Sequence, residues 1–278
     1  MLYNKKYSLI EWRRKLVAKS IIFFDIDGTL LSETTHLVPE STKTALKKAK
    51  ENGHLLFINT GRACSNIDSY IKEFDFDGYV CGCGTYIEFK NEVLFSRTLD
   101  NSFARDLVKN IRKCRLDGII ESKTATYYDD FIYGPEVREI KDHHVLKEGH
   151  VIKSFDDENI DCDKFVVWYN EKSDFNKFHD IYKEDFEFIH RDVNFYEIVP
   201  KGFSKASGIQ FLIDKLDIPY ENTYALGDST NDLSMLKYVK NSIAMGNSNP
   251  VLFDLVSYVT TDIEEDGIYN ALKHYSLI

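Results

Sequence analysis

The chain has 278 residues, 43% of them apolar, which is enough for one large core or two smaller ones and too many for a disordered polymer. A formal net charge of −10 excludes a surface built to grip nucleic acid or an anionic membrane. An anionic substrate must therefore be drawn by local positive charge or by a bound cation.

Five cysteines (Cys64, Cys81, Cys83, Cys114 and Cys162) make an odd count without a Cys-x-x-Cys pair. Five free thiols in a reducing compartment are expected. No apolar run approaches membrane-spanning length, and the basic start carries no long apolar segment, so a cytoplasmic protein is expected. Residues 1–19 read as an N-terminal extension. Leu9, Trp12, Leu16 and Val17 are nearly helix-spaced, which predicts a short amphipathic helix.

The first strand lies in "SIIFFDIDGTLLSE", Ser20 to Glu33. Ile21 to Phe24 are apolar without alternation, as in a strand covered on both faces. If the strand continues to Asp27, Asp25 and Asp27 share a face roughly 7 Å apart. Two ionised carboxylates so close repel each other unless a cation lies between them or one keeps a proton. Gly28 permits a sharp turn, and Thr29 can donate a hydrogen bond across it. An ordinary strand end with an Asp-Gly turn fits the same residues.

A helix follows in "PESTKTALKKAKENG", with Pro39 near its start and Gly53 at its end. "HLLFINTGR" is a second buried strand ending in small polar residues. A helical stretch through Ile71, a short strand near Tyr79 and a β-rich piece, "TYIEFKNEVLFSRTL", come next. This alternation predicts a doubly wound parallel sheet. From about Thr85 to Glu197 the strands are more aromatic and amphipathic, with helical patterns between them. They predict an α+β unit whose mainly antiparallel sheet has one wet face. Tyr127, Tyr128 and Trp168 read as its core or sheet residues, and Arg138, His143 and His144 as solvated surface. After "VPKGFSK" the first pattern returns: a helix through Lys215, the strand "TYALGDS", another helix, "SIAMGN", and a last strand near Tyr258–Val259. One domain is interrupted by another.

Four short segments line up with this plan. "DIDGTL" ends the first strand, "NTGR" (Asn59 to Arg62) the second, Lys205 opens a helix, and "GDSTND" (Gly227 to Asp232) ends a late strand. Ligand crevices of open parallel sheets lie at the carboxyl ends of strands, where separated segments converge. In this order the segments resemble the haloacid dehalogenase superfamily, and specifically its Cof-type sugar-phosphatase-like branch. "ALKKAKENGHLLFINTGR" and "SIAMGNSNPVLFDLVSYVTTDIEEDGIYNAL" follow that branch closely. Two departures stand out: Cys83-Gly84-Thr85 where the branch commonly has Asn-Gly-Ala, and Asn59 where a small or apolar residue is usual. Only 34 residues separate Asp25 from Thr60, whereas 144 separate Thr60 from Lys205, so the second gap holds the inserted domain.

The resemblance implies a doubly wound parallel Rossmann-like core, residues 20–84 and 199–278, with an inserted α+β cap at 85–198. It implies a Mg²⁺-dependent phosphatase for a small phosphorylated metabolite. By the same resemblance Asp25 is the nucleophile and Asp27 the acid/base. The metal ligands are Asp25, the backbone carbonyl of Asp27, and Asp228. Thr60 and the Gly61 amide bind the phosphoryl oxygens, Lys205 neutralises their charge, and Asn231 and Asp232 position Lys205 and the metal's waters. Phosphoryl transfer to another hydroxyl and a non-catalytic sensor remain as alternatives. Dehalogenation is disfavoured, since it needs no acid/base at Asp27. The sequence sets no oligomeric state and names no substrate.

Overall fold

The computed structural model describes residues 20–147 and 149–278, so the helix expected over residues 1–19 lies outside the described residues. Its strands are β1 (Ile21–Phe24), β2 (Leu55–Asn59), β3 (Gly78–Cys81), β4 (Tyr86–Phe89), β5 (Glu92–Ser96), β6 (Asp117–Glu121) and β7 (Thr126–Tyr128). They continue with β8 (Ile152–Ser154), β9 (Lys164–Trp168), β10 (Phe186–Asp192), β11 (Phe195–Pro200), β12 (Thr223–Gly227), β13 (Asn241–Ala244) and β14 (Tyr258–Val259). The chain divides into two compact units. One runs to Phe57 and resumes at Ile209, and the other is Ile58–Gly208.

In the first unit β14, β13, β12 and β1 lie side by side in parallel, with the start of β2 next to β1. Every residue of β1 is buried, as its unbroken apolar run requires for a sheet covered on both sides. The helix Glu40–Glu51 forms where predicted. Pro39 precedes it, Glu40 sits in its first turn, and Lys48 and Lys50 lie in its last, matching the helix dipole. It buries Thr42, Ala45, Leu46 and Ala49, a stripe at helical spacing, and packs against the helix Gly267–His274.

In the second unit the end of β2 neighbours β3, and β3, β4 and β5 follow in antiparallel order. The "helical stretch" before them shrinks to one 3-10 turn, Cys64–Asn66, and a single α-turn, Ser69–Lys72. The aromatic middle of the chain folds as a six-stranded sheet, β10-β11-β9-β6-β7-β8, antiparallel except for β7 with β8. The helices Asn101–Lys113 and Phe175–Tyr182 supply Leu107, Ile111, Phe178 and Tyr182 to a core shared with Phe165 and Phe186. Asp100 caps the first of these helices by accepting from the Phe103 amide (2.8 Å). The opposite face is not simply wet, contrary to expectation. Ile119, Tyr128 and Val166 pack there on Val137 of the helix Pro135–Leu146. Tyr127 and Tyr128 are buried, as read from the sequence.

Candidate active site

In the first unit, β1 ends at Phe24 rather than continuing to Asp27. Asp25 still follows β12, its amide donating to Leu226 O (3.1 Å), and its side chain is only 4% exposed. The chain then wraps around one carbonyl: the amides of Thr29, Leu30 and Leu31 all donate to Ile26 O at 3.3, 2.9 and 2.8 Å. Gly28 takes φ +72° in this turn, a conformation that carries no Cβ penalty only in glycine. A tight turn, not strand alternation, therefore separates the buried Asp25 from the half-buried Asp27.

Asp228 follows β12. Thr29 does not bridge its own turn: its Oγ1 donates to Asp228 Oδ1 (2.9 Å), 199 residues away. Asn247 Nδ2 fastens the same turn from another loop, donating to Gly28 O (2.8 Å). Asp232 is fully buried, and its Oδ2 accepts the amides of Asp228 (2.9 Å) and Ser229 (3.1 Å), completing a capping box with Ser229. Asn231 is half-buried and accepts from the Ser229 hydroxyl. One carboxylate oxygen each of Asp25, Asp228 and Asp232 lies within 4.8 Å of the others. At that spacing each ionised pair repels by at least about 3.5 kcal/mol at an effective dielectric of about 20. An all-oxygen set under such repulsion fits a hard divalent cation. The Asp27 side chain is not part of this group. Asp232, expected only as a support, stands within it.

In the second unit, Thr60 directly follows β2, buried, with its amide donating to Val80 O (2.9 Å) and its Oγ1 accepting from the Arg62 amide (3.1 Å). Lys205 opens the helix Lys205–Leu216 and is 1% exposed, which rules out an ordinary surface lysine. Asn59 explains its own departure from the usual residue: its Nδ2 donates to Lys205 O (3.0 Å), tying the end of β2 to the start of that helix. Thr60, Gly61 and Lys205 are thereby brought onto one framework.

The chain matches the haloacid dehalogenase-like hydrolase family over residues 22–272. It belongs to that family. This hydrolase is 28% identical over 269 residues to the 5-amino-6-(5-phospho-D-ribitylamino)uracil phosphatase YcsE of Bacillus subtilis, covering 95% of this chain and 99% of that one. It is 26% identical to phosphatase YwpJ of the same organism, over 91% and 99% of the two chains. Among solved structures, the HAD subclass IIB sugar phosphatase BT4131 superposes with a TM-score of 0.77 at 28% identity, covering 93% of this chain and all of that one. The Rossmann-like core with a cap and the Cof-type phosphatase assignment hold.

Other residues of this hydrolase stand where the sequence did not put them. His144 is not solvated surface: it is half-buried, with Nδ1 2.6 Å from the Tyr128 hydroxyl. Burial, helped by the positive charges of its surroundings, pushes its pKa down to about 4. His143 and Arg138 are exposed, as expected. Arg62 and Lys147 both bind Asp68, at 3.0 and 2.9 Å. Burial would raise the Asp68 carboxyl, but these two cations outweigh it and hold it below its ordinary value. The five cysteines are free thiols, and Cys83, in a left-handed conformation at φ 55°, directs its Sγ to Glu197 Oε1 (3.4 Å). The sequence reading passed over Lys164 and Glu197 altogether. The available signal was a charged residue opening one apolar strand, "KFVVW", and interrupting another, "FYEIVP".

Proposed function

We propose that this hydrolase is a Mg²⁺-dependent phosphatase of small phosphorylated metabolites, acting through an aspartyl-phosphate. The observation that carries the reading is the buried Asp25 at the end of β1, grouped with Asp228 and Asp232. Asp25 attacks phosphorus as the ester oxygen leaves, and Asp27 gives that oxygen its proton. Asp27 then takes a proton from the water that attacks the acyl phosphate, which frees inorganic phosphate and restores Asp25. The half-exposure of Asp27 supports this role, since an acid/base must meet both substrate and water.

Thr60 Oγ and the Gly61 amide hydrogen-bond the phosphoryl oxygens, and the buried Lys205 offsets their charge. Asn231 and Asp232 hold the loop after β12. Mg²⁺, held by Asp25, the Asp27 carbonyl and Asp228, supplies charge neutralisation for the phosphoryl group. Residues 20–84 and 199–278 form the catalytic core, and the inserted cap, 85–198, selects substrates by size and shape. The family's sugar phosphatase and the phospho-ribityl phosphatase support a sugar-like phosphorylated substrate. A cytoplasmic location accords with the free thiols, and among the described residues no helix is long and apolar enough to cross a membrane.

The test is phosphate release from a panel of sugar phosphates, nucleotides, cofactor phosphates and a phosphopeptide, with Mg²⁺ and with excess chelator. Release from small esters that stops on chelation is the expected result. A preference for the phosphopeptide, or full activity in chelator, refutes the reading.

A further inference from the structure

Within the unit Ile58–Gly208, three buried charges meet at the turn that follows β2. Lys164, the first residue of β9, is 4% exposed. Its ammonium lies 2.5 Å from Glu197 Oε1, 2.9 Å from Glu121 Oε2 and 2.8 Å from Gly61 O. Glu197 Oε1 and Gly61 O accept two of the ammonium's three protons, and Glu121 Oε2 stands beside it as an ion pair. Glu121 is the cross-strand partner of Lys164 in the β6–β9 register, while Glu197 pairs with Val166, so alternation puts all three charges on one face of the sheet. Arg191 stands 3.9 Å from Glu197 Oε2 and balances the second carboxylate. Burial alone would favour neutral lysine, but the two glutamates reverse this and keep it protonated.

A buried ion cluster is a poor device for stability alone, because an apolar replacement is often as stable or more so. This one spends a hydrogen bond on a loop outside its sheet. The oxygen it binds belongs to the Gly61–Arg62 peptide, and the N–H of that same peptide donates to Thr60 Oγ1 (3.1 Å). A threonine hydroxyl has one proton and two lone pairs. With a lone pair engaged by Arg62 N–H, the Thr60 proton is left to donate elsewhere. Glu197 also dictates the residue at position 61, where a Cβ would lie 2.9 Å from its Oε1.

We propose that Lys164, together with Glu197, is a positioning pair for phosphate recognition. It locks the Gly61–Arg62 peptide so that Thr60 Oγ acts as a donor and the Gly61 amide stays uncovered by a side chain. The proposal rests on the phosphatase reading in taking Thr60 and Gly61 as phosphoryl ligands.

The experiment measures inorganic phosphate binding by calorimetry in Mg²⁺, alongside kcat, KM and the Mg²⁺ activation midpoint. The variants are Lys164→Met, Thr60→Val and their double. A second series on the background Lys164→Met/Glu121→Gln/Glu197→Gln removes the carboxylates that the single change strands. Lys164→Met is expected to weaken phosphate binding about tenfold or more, the loss of a charged hydrogen-bond network, and to raise KM as kcat falls. The Mg²⁺ midpoint should stay within about twofold. Thr60→Val should cost much less in either Lys164→Met background than in the wild type, because its donor is already misdirected. Unchanged phosphate affinity in a folded Lys164 variant, or strictly additive losses with Thr60→Val, would overturn the proposal. A wild type that neither binds phosphate nor releases it would instead sink the phosphatase reading.

Discussion

Replacing Gly28 by alanine tests the carboxylate centre with one methyl group. Gly28 sits at φ +72°, and a Cβ built there would collide with the Asp228 carboxylate, lying 2.7 Å from its Cγ. Its Oδ2 would be nearer still, and ordinary contact begins at 3.4 Å, so the carboxylate must withdraw by at least about 0.7 Å (3.4 − 2.7) or the loop must open. Metal–ligand distances tolerate about 0.2 Å, and Mg²⁺ demands a near-ideal octahedron. The side chain has little slack, since Thr29 holds Oδ1 at 2.9 Å and Asp232 holds the Asp228 amide. The backbone cost of a left-handed alanine is about 1–2 kcal/mol, offset by about 0.4–1 kcal/mol from the stiffer unfolded chain, leaving a net loss of about 1 kcal/mol. Gly53→Ala is the control: φ there is +84°, yet nothing lies within 4 Å of the added Cβ. Gly53→Ala should therefore lose about 1 kcal/mol in urea unfolding and Gly28→Ala more, by the cost of the collision, but only Gly28→Ala should lose Mg²⁺ affinity, by tenfold or more in a calorimetric titration. Equal Mg²⁺ affinity in the two variants would remove Asp228 from the proposed metal site.

Asp25→Asn, isosteric but a poor nucleophile, should not lower the thermal unfolding midpoint, since it relieves repulsion among the carboxylates, and should reduce turnover to under about a hundredth; more residual activity, measured by phosphate release, contradicts covalent catalysis. Asp27→Asn should cost about 10²–10⁴-fold with a sugar phosphate, yet slow phosphoenzyme formation from an aryl phosphate much less, because a good leaving group needs little protonation. Equal losses with both substrates would reject the acid/base assignment. His144, neutral in the fold down to about pH 4, binds a proton in the unfolded chain from about pH 6.5 downward. Its share of stability is therefore whole above pH 6.5 and is lost as pH falls towards 4, on the order of 1–2 kcal/mol after screening at a half-buried site. Urea unfolding of the wild type and His144→Gln at pH 7 and pH 5 checks this, and parallel pH profiles would refute it.

The sequence by itself determined whatever depends on neighbours along the chain. The apolar runs Ile21 to Phe24 and Leu55 to Ile58 mark strands buried on both faces, because a strand covered by helices has no polar side to alternate with. Pro39 and Gly53 bracket a helix because proline fixes φ near the helical value at its start and glycine tolerates the left-handed φ of +84° just past its end. The places of Asp25, Asp228 and Thr60 just after strands, and of Lys205 at a helix start, were legible as well, since each adjoins an apolar run or a helical pattern. The tertiary structure decided which partner each polar group found. Thr29 could have bonded within its own turn, and only the parallel pairing of β1 with β12 brings Asp228 within its reach. His144 on a helix looked solvated until Tyr128, on a strand, was packed against it. Lys164 reads as a flaw in an apolar strand until β6, β11 and the Gly61 turn surround it with three oxygens. Hydrophobic periodicity is a local signal that survives in one strand or helix. A hydrogen bond between residues a hundred positions apart leaves no local trace, because either partner alone looks like any other polar side chain.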